Sequence, residues 1–254
     1  MRHQSKTNTK AIILAAGIST RLRPTTEDLP KCLLPLNGET ILDYQIQSLA
    51  QLAIRHLFIV AGYERALIER HVASVHSTIP ITIVHNELFK ETDNAYSLSL
   101  ALERVDTDND TIVVLDGDIL FDFELLSTLV QSPFDNVCMV DNTKTIEPED
   151  CKVAVNSGTA LGIGKAIPGN VVYTSMIKLS NGLLAELQRE LKAPRTAREW
   201  YSEGLNRLLK RYPSAMRVLY TDGRLRCEID TYEDLVHARA LYQRLKSMKG
   251  HDEL

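Results

Sequence analysis

The sequence predicts an α/β protein: a Rossmann-like, mostly parallel twisted sheet with helices on both faces and a small antiparallel C-terminal extension. Three observations predict it. Short continuous apolar runs such as Ala11-Ile-Ile-Leu14 and Thr111-Ile-Val-Val-Leu115 suit strands buried on both faces. Segments with apolar residues at helical spacing alternate with those runs. Past Pro133 the alternation gives way to shorter strands separated by turn signals.

Taken in order, residues 1–9 are polar and read as a disordered leader, and 11–14 form the first strand. After a long glycine-bearing loop, residues 40–52 carry Ile41, Leu42, Ile46, Leu49 and Leu52 at helical spacing, and 56–60 read as a strand. A helix over 64–75, a strand over 81–85, a helix over 94–104 and a strand over 111–115 continue the pattern, which implies parallel pairing. Strands are expected next over 137–140, 152–155 and 171–179, with turns at 156–158 and 168–170. Helices over 181–191 and 197–211, a strand over 216–220 and an amphipathic helix over 232–245 close the chain. No internal repeat or low-complexity linker interrupts it. Residues 10–254 are therefore expected to form a single domain with halves at 10–130 and 131–254.

The chain has 254 residues, 44% hydrophobic and 24% charged, with 29 Lys+Arg against 33 Asp+Glu. This composition excludes disordered, collagen-like and coiled-coil classes. The net charge of -4 argues against a nucleic-acid partner. It does not argue against small anions, because the first 31 residues hold six basic groups and only two acids. No apolar run approaches the ~18 residues that cross a bilayer, and the polar N-terminus lacks a signal-peptide core. The final HDEL spells a retention signal that is read only on chains entering the secretory lumen, so it is taken as coincidence. Four scattered cysteines form no C-x-x-C pair and fit a reducing cytoplasm.

The most informative segment is residues 11–38. The strand ends in Ala15-Ala16-Gly17, small residues where a ligand can approach the backbone and successive N–H groups can cradle an anion. Taken alone, this is equally a structural turn. Arg21, Arg23 and Lys31 add positive charge, and Pro24 and Pro30 restrict the loop that carries them. The segment is neither a P-loop nor a dinucleotide fingerprint.

Further on, residues 105–124 hold seven acids and no Lys or Arg. Asp116 and Asp118 stand out because Leu115-Asp-Gly-Asp-Ile119 closes the strongest strand, at the edge where open α/β sheets bind ligands. Oxygen ligands of this kind suit Mg²⁺. A second pair, Glu228 and Asp230, directly precedes the last helix, where Asp230 or Thr231 could equally serve only as its N-cap. The seven histidines show no ligand pattern.

The run L-A-A-G-x-S-T-R-L-R-P-x-T-x-x-x-P-K, residues 14–31, resembles the signature of the nucleotidyltransferases that make nucleoside-diphosphate sugars and alcohols. The resemblance implies that Leu14, Ala15, Ala16, Gly17, Ser19 and Thr20 hold a nucleoside triphosphate, and that Arg21 and Lys31 are the catalytic cations on its phosphates. It makes Asp118 and Asp230 the Mg²⁺ ligands. Asp116 then belongs to the nucleotide site, and the halves 10–130 and 131–254 bind nucleotide and acceptor respectively.

Sugar-nucleotide members usually follow the third strand with a Gln and a Gly-rich turn, whereas this chain has Asn86 and then 91-ETDNAYSLSL-100. The pattern Asn-x-Tyr-Ser-x-Ser-Leu is similar to the branch using CTP, including phosphocholine and 2-aminoethylphosphonate cytidylyltransferases. Asn94 and Ser97 would there face a cytosine edge, although Asn94 equally reads as a helix cap. Lys152 and Lys165 match positions that contact the acceptor's phosphate in relatives. Trp200, Tyr173 and Glu199 are the residue types that a choline or aminoethyl cation requires, with Glu228 as a further acceptor contact.

The implied partners are CTP and a small phosphate or phosphonate acceptor, with no nucleic acid and no membrane; a homo-oligomer stays open. The alternatives are a sugar-1-phosphate uridylyl- or guanylyltransferase and a non-catalytic nucleotide-binding regulatory subunit.

Overall fold

The computed structural model describes residues 8–18, 20–22, 29–192 and 198–249. Ser19, Arg23, the Thr20 side chain and the HDEL tail lie outside the described residues. The first strand, β1 (Asn8–Ala15), starts earlier than its apolar run. Asn8 Nδ2 donates to Asp110 Oδ1 at 2.5 Å and Lys10 Nζ to Asp110 Oδ2 at 2.6 Å. The expected leader over 1–9 is thus corrected at Asn8 and Thr9, which are paired residues of the sheet. Polar residues extend the strand because a buried Asp110 on its neighbour needs their donors.

The chain continues through α1 (Ile41–Ala50), β2 (Leu57–Ala61), α2 (Arg65–Ser74), β3 (Ile81–His85), α3 (Asn94–Leu102) and β4 (Asp110–Asp116). These four strands pair in parallel in the order β3-β2-β1-β4, as the alternation predicts. Thr40 caps α1 by accepting from Asp43 N at 3.1 Å, and Asp43 accepts in return from Thr40 N.

The next elements are β5 (Ile119–Phe121), α4 (Phe123–Gln131), β6 (Val137–Asp141), β7 (Lys152–Asn156), β8 (Thr159–Gly164) and β9 (Val171–Ser180). The chain then runs through α5 (Asn181–Lys192), α6 (Tyr201–Arg211), β10 (Arg217–Tyr220), β11 (Arg226–Glu228) and α7 (Tyr232–Lys249). The antiparallel extension is continuous with the parallel half. β9, buried along its whole length, lies antiparallel between β4 and β6, and β10, β8 and β7 complete a nine-stranded sheet. A separate two-stranded ribbon pairs β11 with β5.

Alternate residues feed two cores. Ile13 of β1 and Val113 of β4 pack beneath α1, α4 and α7, while Ile12 and Val114 pack beneath α3, α5 and α6. This two-sided burial explains why the central strands are continuous apolar runs. Among the described residues, no helix is long and apolar enough to cross a membrane.

Four elements were not expected. β5 and β11 are three residues each, too short to show a period, and β8 contains Gly162 and Gly164. α4 is announced only by its cap, Asp122, whose Oδ1 accepts from Glu124 N at 3.0 Å. α6 begins at Tyr201, later than the expected 197.

Candidate active site

Strands β1 and β4 end side by side, with Leu14 in register with Asp116, so the loops that follow share the carboxyl edge of the sheet. Gly117 N donates to Leu14 O at 2.8 Å, and a Cβ on Gly117 would lie 2.9 Å from that oxygen. Only glycine lets the acidic turn lie this close to β1. Gly17 is the opposite case, since it is exposed and a Cβ there would meet nothing within 4 Å among the described residues. Bare backbone at an exposed position allows close approach of a ligand. Leu14 and Ala16 are buried on either side of the half-buried Ala15.

Two short 3₁₀ turns bring the cations to this edge. Thr20–Leu22 is anchored by the buried Leu22 and projects Arg21 outward. Lys31–Leu33 is anchored by the buried Cys32 and Leu33. Lys31 Nζ donates to Asp118 Oδ2 at 3.0 Å and to Asp230 Oδ1 at 2.5 Å, and Arg21 NH2 lies 2.9 Å from Asp230 Oδ1. Burial pulls the Lys31 ammonium's pKa down, but the carboxylates of Asp118 and Asp230 outweigh it and hold the pKa above the ordinary 10.5. Burial likewise pushes the Asp230 carboxyl up, and Lys31 and Arg21 reverse the effect, leaving it below its ordinary value.

Asp230 reaches Asp118 through the small ribbon. Glu228 pairs with Ile119, and Ile229 N donates to Asp118 O at 3.0 Å. Thr231 takes the capping role at α7: its Oγ1 accepts from Asp234 N at 3.2 Å, and Asp234 Oδ2 accepts from the Asp230 and Thr231 N–H groups. The Asp230 carboxylate is therefore free for the site. Asp118, Glu228 and Asp230 each bring one oxygen within 4.8 Å of the others, a set of hard donors that fits a divalent cation.

Glu228 keeps solvent access, yet it is crowded by protein on most sides. That desolvation, with the charges of Asp118 and Asp230, pushes its carboxyl up to about 7. Asp116 is raised well above the carboxylate range by burial and by Asp118 and Glu228. Its side chain bonds Ser175, a non-glycine residue at φ 60 beside the register shift of β6 and β9. Its Oδ1 is buried with no hydrogen-bond partner among the described residues. Asp116 is thus in register with Leu14 before the glycine loop and bonded to Ser175 of β9, in the half expected to bind the acceptor.

Sequence reasoning missed Gln45. This fully buried residue of α1 donates from Nε2 to Asp116 O at 3.0 Å and to Ile119 O at 2.9 Å, clamping both ends of the acidic turn. A Gln between Tyr44 and Ile46 on an otherwise buried helix face was the available signal.

Several of the expected ligand contacts have partners within the protein. Ser97 is buried and accepts from Asn86 Nδ2 at 3.0 Å, so its hydroxyl supports the loop after β3 instead of facing solvent. Asn94 Oδ1 accepts from Tyr201 N at 3.0 Å, tying α3 to α6. The Glu199 carboxylate is paired with Arg207, which also bonds Glu190, so it is not free for a ligand cation. Tyr173 OH meets Tyr201 OH at 2.9 Å in the interior. Lys152 Nζ lies 3.3 Å from Pro148 O, and Lys165 Nζ lies 3.8 Å from the centroid of the Trp200 ring.

The model of the MobA-like NTP transferase domain matches residues 11–212. The chain belongs to that family. Choline-phosphate cytidylyltransferase of Streptococcus pneumoniae is 36% identical over 106 residues, 39% of this chain and 44% of that protein. UTP–glucose-1-phosphate uridylyltransferase AglF of Haloferax volcanii is 33% identical over 116 residues, 46% of this chain and 46% of that protein. The chain spans less than half the length of either relative. The solved structure of the inositol-1-phosphate CTP transferase from T. maritima has the same fold, with a TM-score of 0.79 at 24% identity over 94% of this chain and 96% of that one. Glu228 and Asp230 lie beyond the matched family span, and the β5–β11 ribbon is what brings them to Asp118.

Two outcomes are expected. Gln45→Leu removes the donor shared by two turn carbonyls and should lower stability by about 1–3 kcal/mol, read by urea denaturation. The second concerns Glu228, whose proton is held more tightly folded than unfolded, so its contribution to stability falls as pH rises from about 4.5 to 7. In protein kept free of metal with EDTA, Glu228→Gln should therefore raise the Tm at pH 8 and have little effect at pH 4.5. Differential scanning calorimetry checks this, and a lower Tm at pH 8 would contradict it.

Proposed function

We propose that the chain is a Mg²⁺-dependent cytidylyltransferase, moving CMP from CTP to a small phosphorylated or phosphonate (amino)alcohol with release of pyrophosphate. The observation that carries this reading is the meeting of Lys31 and Arg21 with Asp118 and Asp230 beside the bare backbone of Gly17. Lys31 and Asp230, which meet there, are 199 positions apart. The choice of CTP is supported by the Asn94-x-Tyr-Ser segment and by the names of the choline-phosphate and inositol-1-phosphate relatives. A sugar-1-phosphate uridylyl- or guanylyltransferase remains the rival reading, supported by AglF.

In the reaction, an acceptor phosphate oxygen forms a bond to the α-phosphorus while the α–β phosphoanhydride bond breaks. A phosphate monoester has a second pKa near ~6, so the attacking oxygen is already ionised at neutral pH and needs no protein base. The protein's task is positioning and charge neutralisation. Lys31 and Arg21 would turn from Asp118 and Asp230 to the triphosphate oxygens. Asp118 and Asp230, with Glu228 beside them, would hold Mg²⁺, which when bound offsets the negative charge gathered at the α-phosphate. Asp116, with its unpaired buried oxygen, offers a hydrogen-bond acceptor to an amino or hydroxyl group of the acceptor molecule.

A matrix of CTP, UTP, GTP and ATP against phosphocholine, 2-aminoethylphosphonate, a hydroxyalkyl phosphonate and glucose-1-phosphate, read by pyrophosphate release, tests the assignment. CTP should lead with a phosphoalcohol or phosphonate. Turnover with UTP or GTP and glucose-1-phosphate alone would move the chain to the rival class, and nucleotide binding without pyrophosphate release would indicate a regulatory subunit. In the active pair, Asp118→Asn and Lys31→Ala should each lower kcat/KM by well over tenfold, about 1.4 kcal/mol per decade. Near wild-type turnover in either variant would overturn the roles assigned to them.

A further inference from the structure

Trp200 is the chain's single tryptophan, and its ring face is already covered by an ammonium of the protein itself, Lys165 Nζ at 3.8 Å from the centroid. Lys165 directly follows β8, and Trp200 directly precedes α6. The two side chains line a small open pocket of about 160 Å³ together with Arg198, Ser202 and Glu203. Ser202 bonds Cys151, whose thiol lies within electrostatic reach of Lys165, Asp116 and Glu228 alike. The pocket is therefore in the electrostatic neighbourhood of the carboxylate site.

The charges of this pocket suit an anion. Lys165 and Arg198 are both exposed. Arg198 spends one donor on Lys90 O at 3.1 Å, and Glu203 accepts from Trp200 N at 3.3 Å. The carboxylate that would complete a cation receptor around the indole, Glu199, is paired with Arg207. An ammonium resting on an aromatic face is held by the ring quadrupole and still has N–H donors for another partner.

We propose that Trp200 is a positioning residue: its indole holds the ammonium of Lys165, the lysine that the resemblance already places against the acceptor's anionic group, at the mouth of the acceptor half. This rests on the reading of the site as one for a phosphorylated or phosphonate acceptor. It assigns the aromatic element at the start of α6 to the acceptor's anion. A quaternary ammonium would have to displace Lys165 to use the same face.

The single tryptophan provides a test that needs neither nucleotide nor turnover. Titration of the wild-type protein with methylphosphonate should change Trp200 fluorescence saturably, and Lys165→Gln should abolish that change while keeping the wild-type Tm. A flat wild-type titration, or an unaltered one in Lys165→Gln, would overturn the proposal. Kinetics with the active nucleotide provide the second arm. Trp200→Leu should raise the acceptor KM more than fivefold with the nucleotide KM and kcat within twofold, Trp200→Phe should restore most of the loss, and adding Trp200→Leu to Lys165→Gln should have no further effect. Additive losses, or a loss confined to phosphocholine and persisting in the Lys165→Gln background, would show that the indole contacts the ligand directly and overturn the positioning role. Failure of CTP in the nucleotide matrix with a saturable Lys165-dependent titration would count against the proposed function alone.

Discussion

Three carboxylates whose oxygens converge within 4.8 Å repel one another, and the rest of the site is arranged around that repulsion. At an effective dielectric of about 20, each pair of unit charges at such a distance costs roughly 3–4 kcal/mol. Lys31 offsets much of it by bridging Asp118 and Asp230. The residual strain falls on Glu228 and Asp116, whose carboxyls are both pushed up. On the proposed reading, a cation held by these oxygens would free Lys31 and Arg21 for anionic ligands, which would couple cation and triphosphate binding through the same side chains.

The fold exists in a form that can bear this cost. The acids sit on backbone that cannot move apart: Asp116 ends β4 in the sheet centre, Glu228 is in register with Ile119, and Ile229 N holds Asp118 O. Gln45 fastens the turn from below with a donor to each end. Thr231 and Asp234 take over the cap of α7, which leaves the Asp230 side chain available. Each of these contacts is small, and together they fix a constellation that electrostatics alone would disperse.

The parallel half was legible in the sequence because its strands are buried on both faces and its helices are amphipathic, both of which are patterns of residue type along the chain. Arg21, Lys31, Asp118 and Asp230 were legible through a long motif and through their positions at strand and helix ends, and the structure places them in one cluster. The ribbon of β5 and β11 was not, since three-residue strands carry no period and owe their pairing to each other. Gln45 was hidden because its role depends on carbonyls 71 and 74 residues away. Ser97 and Glu199 were misplaced for the same reason. A serine at a helix start and a glutamate beside a tryptophan read as available groups until Asn86 and Arg207 are seen to hold them.

That distinction between a charge present and a charge available bears most on the acceptor half. Counting residue types near Trp200 gives an aromatic face with a neighbouring carboxylate, the composition of a receptor for an organic cation. Pairing them removes both components, since Arg207 takes the carboxylate and Lys165 takes the face. What is left with unfilled capacity is positive charge in the outer pocket and hydrogen-bond acceptors further in, at Glu228 and at the Asp116 oxygen that has no partner among the described residues. A ligand complementary to that gradient would place its anionic group outward on Lys165 and its donor group inward on the acids. An acceptor whose only cation is a quaternary ammonium lacks the N–H donors that Asp116 could accept from, whereas an amino or hydroxyl group has them. On the proposed reading of the site, the internal pairing of the protein's own side chains would therefore favour small amino- or hydroxyl-bearing phosphonates and phosphates over choline.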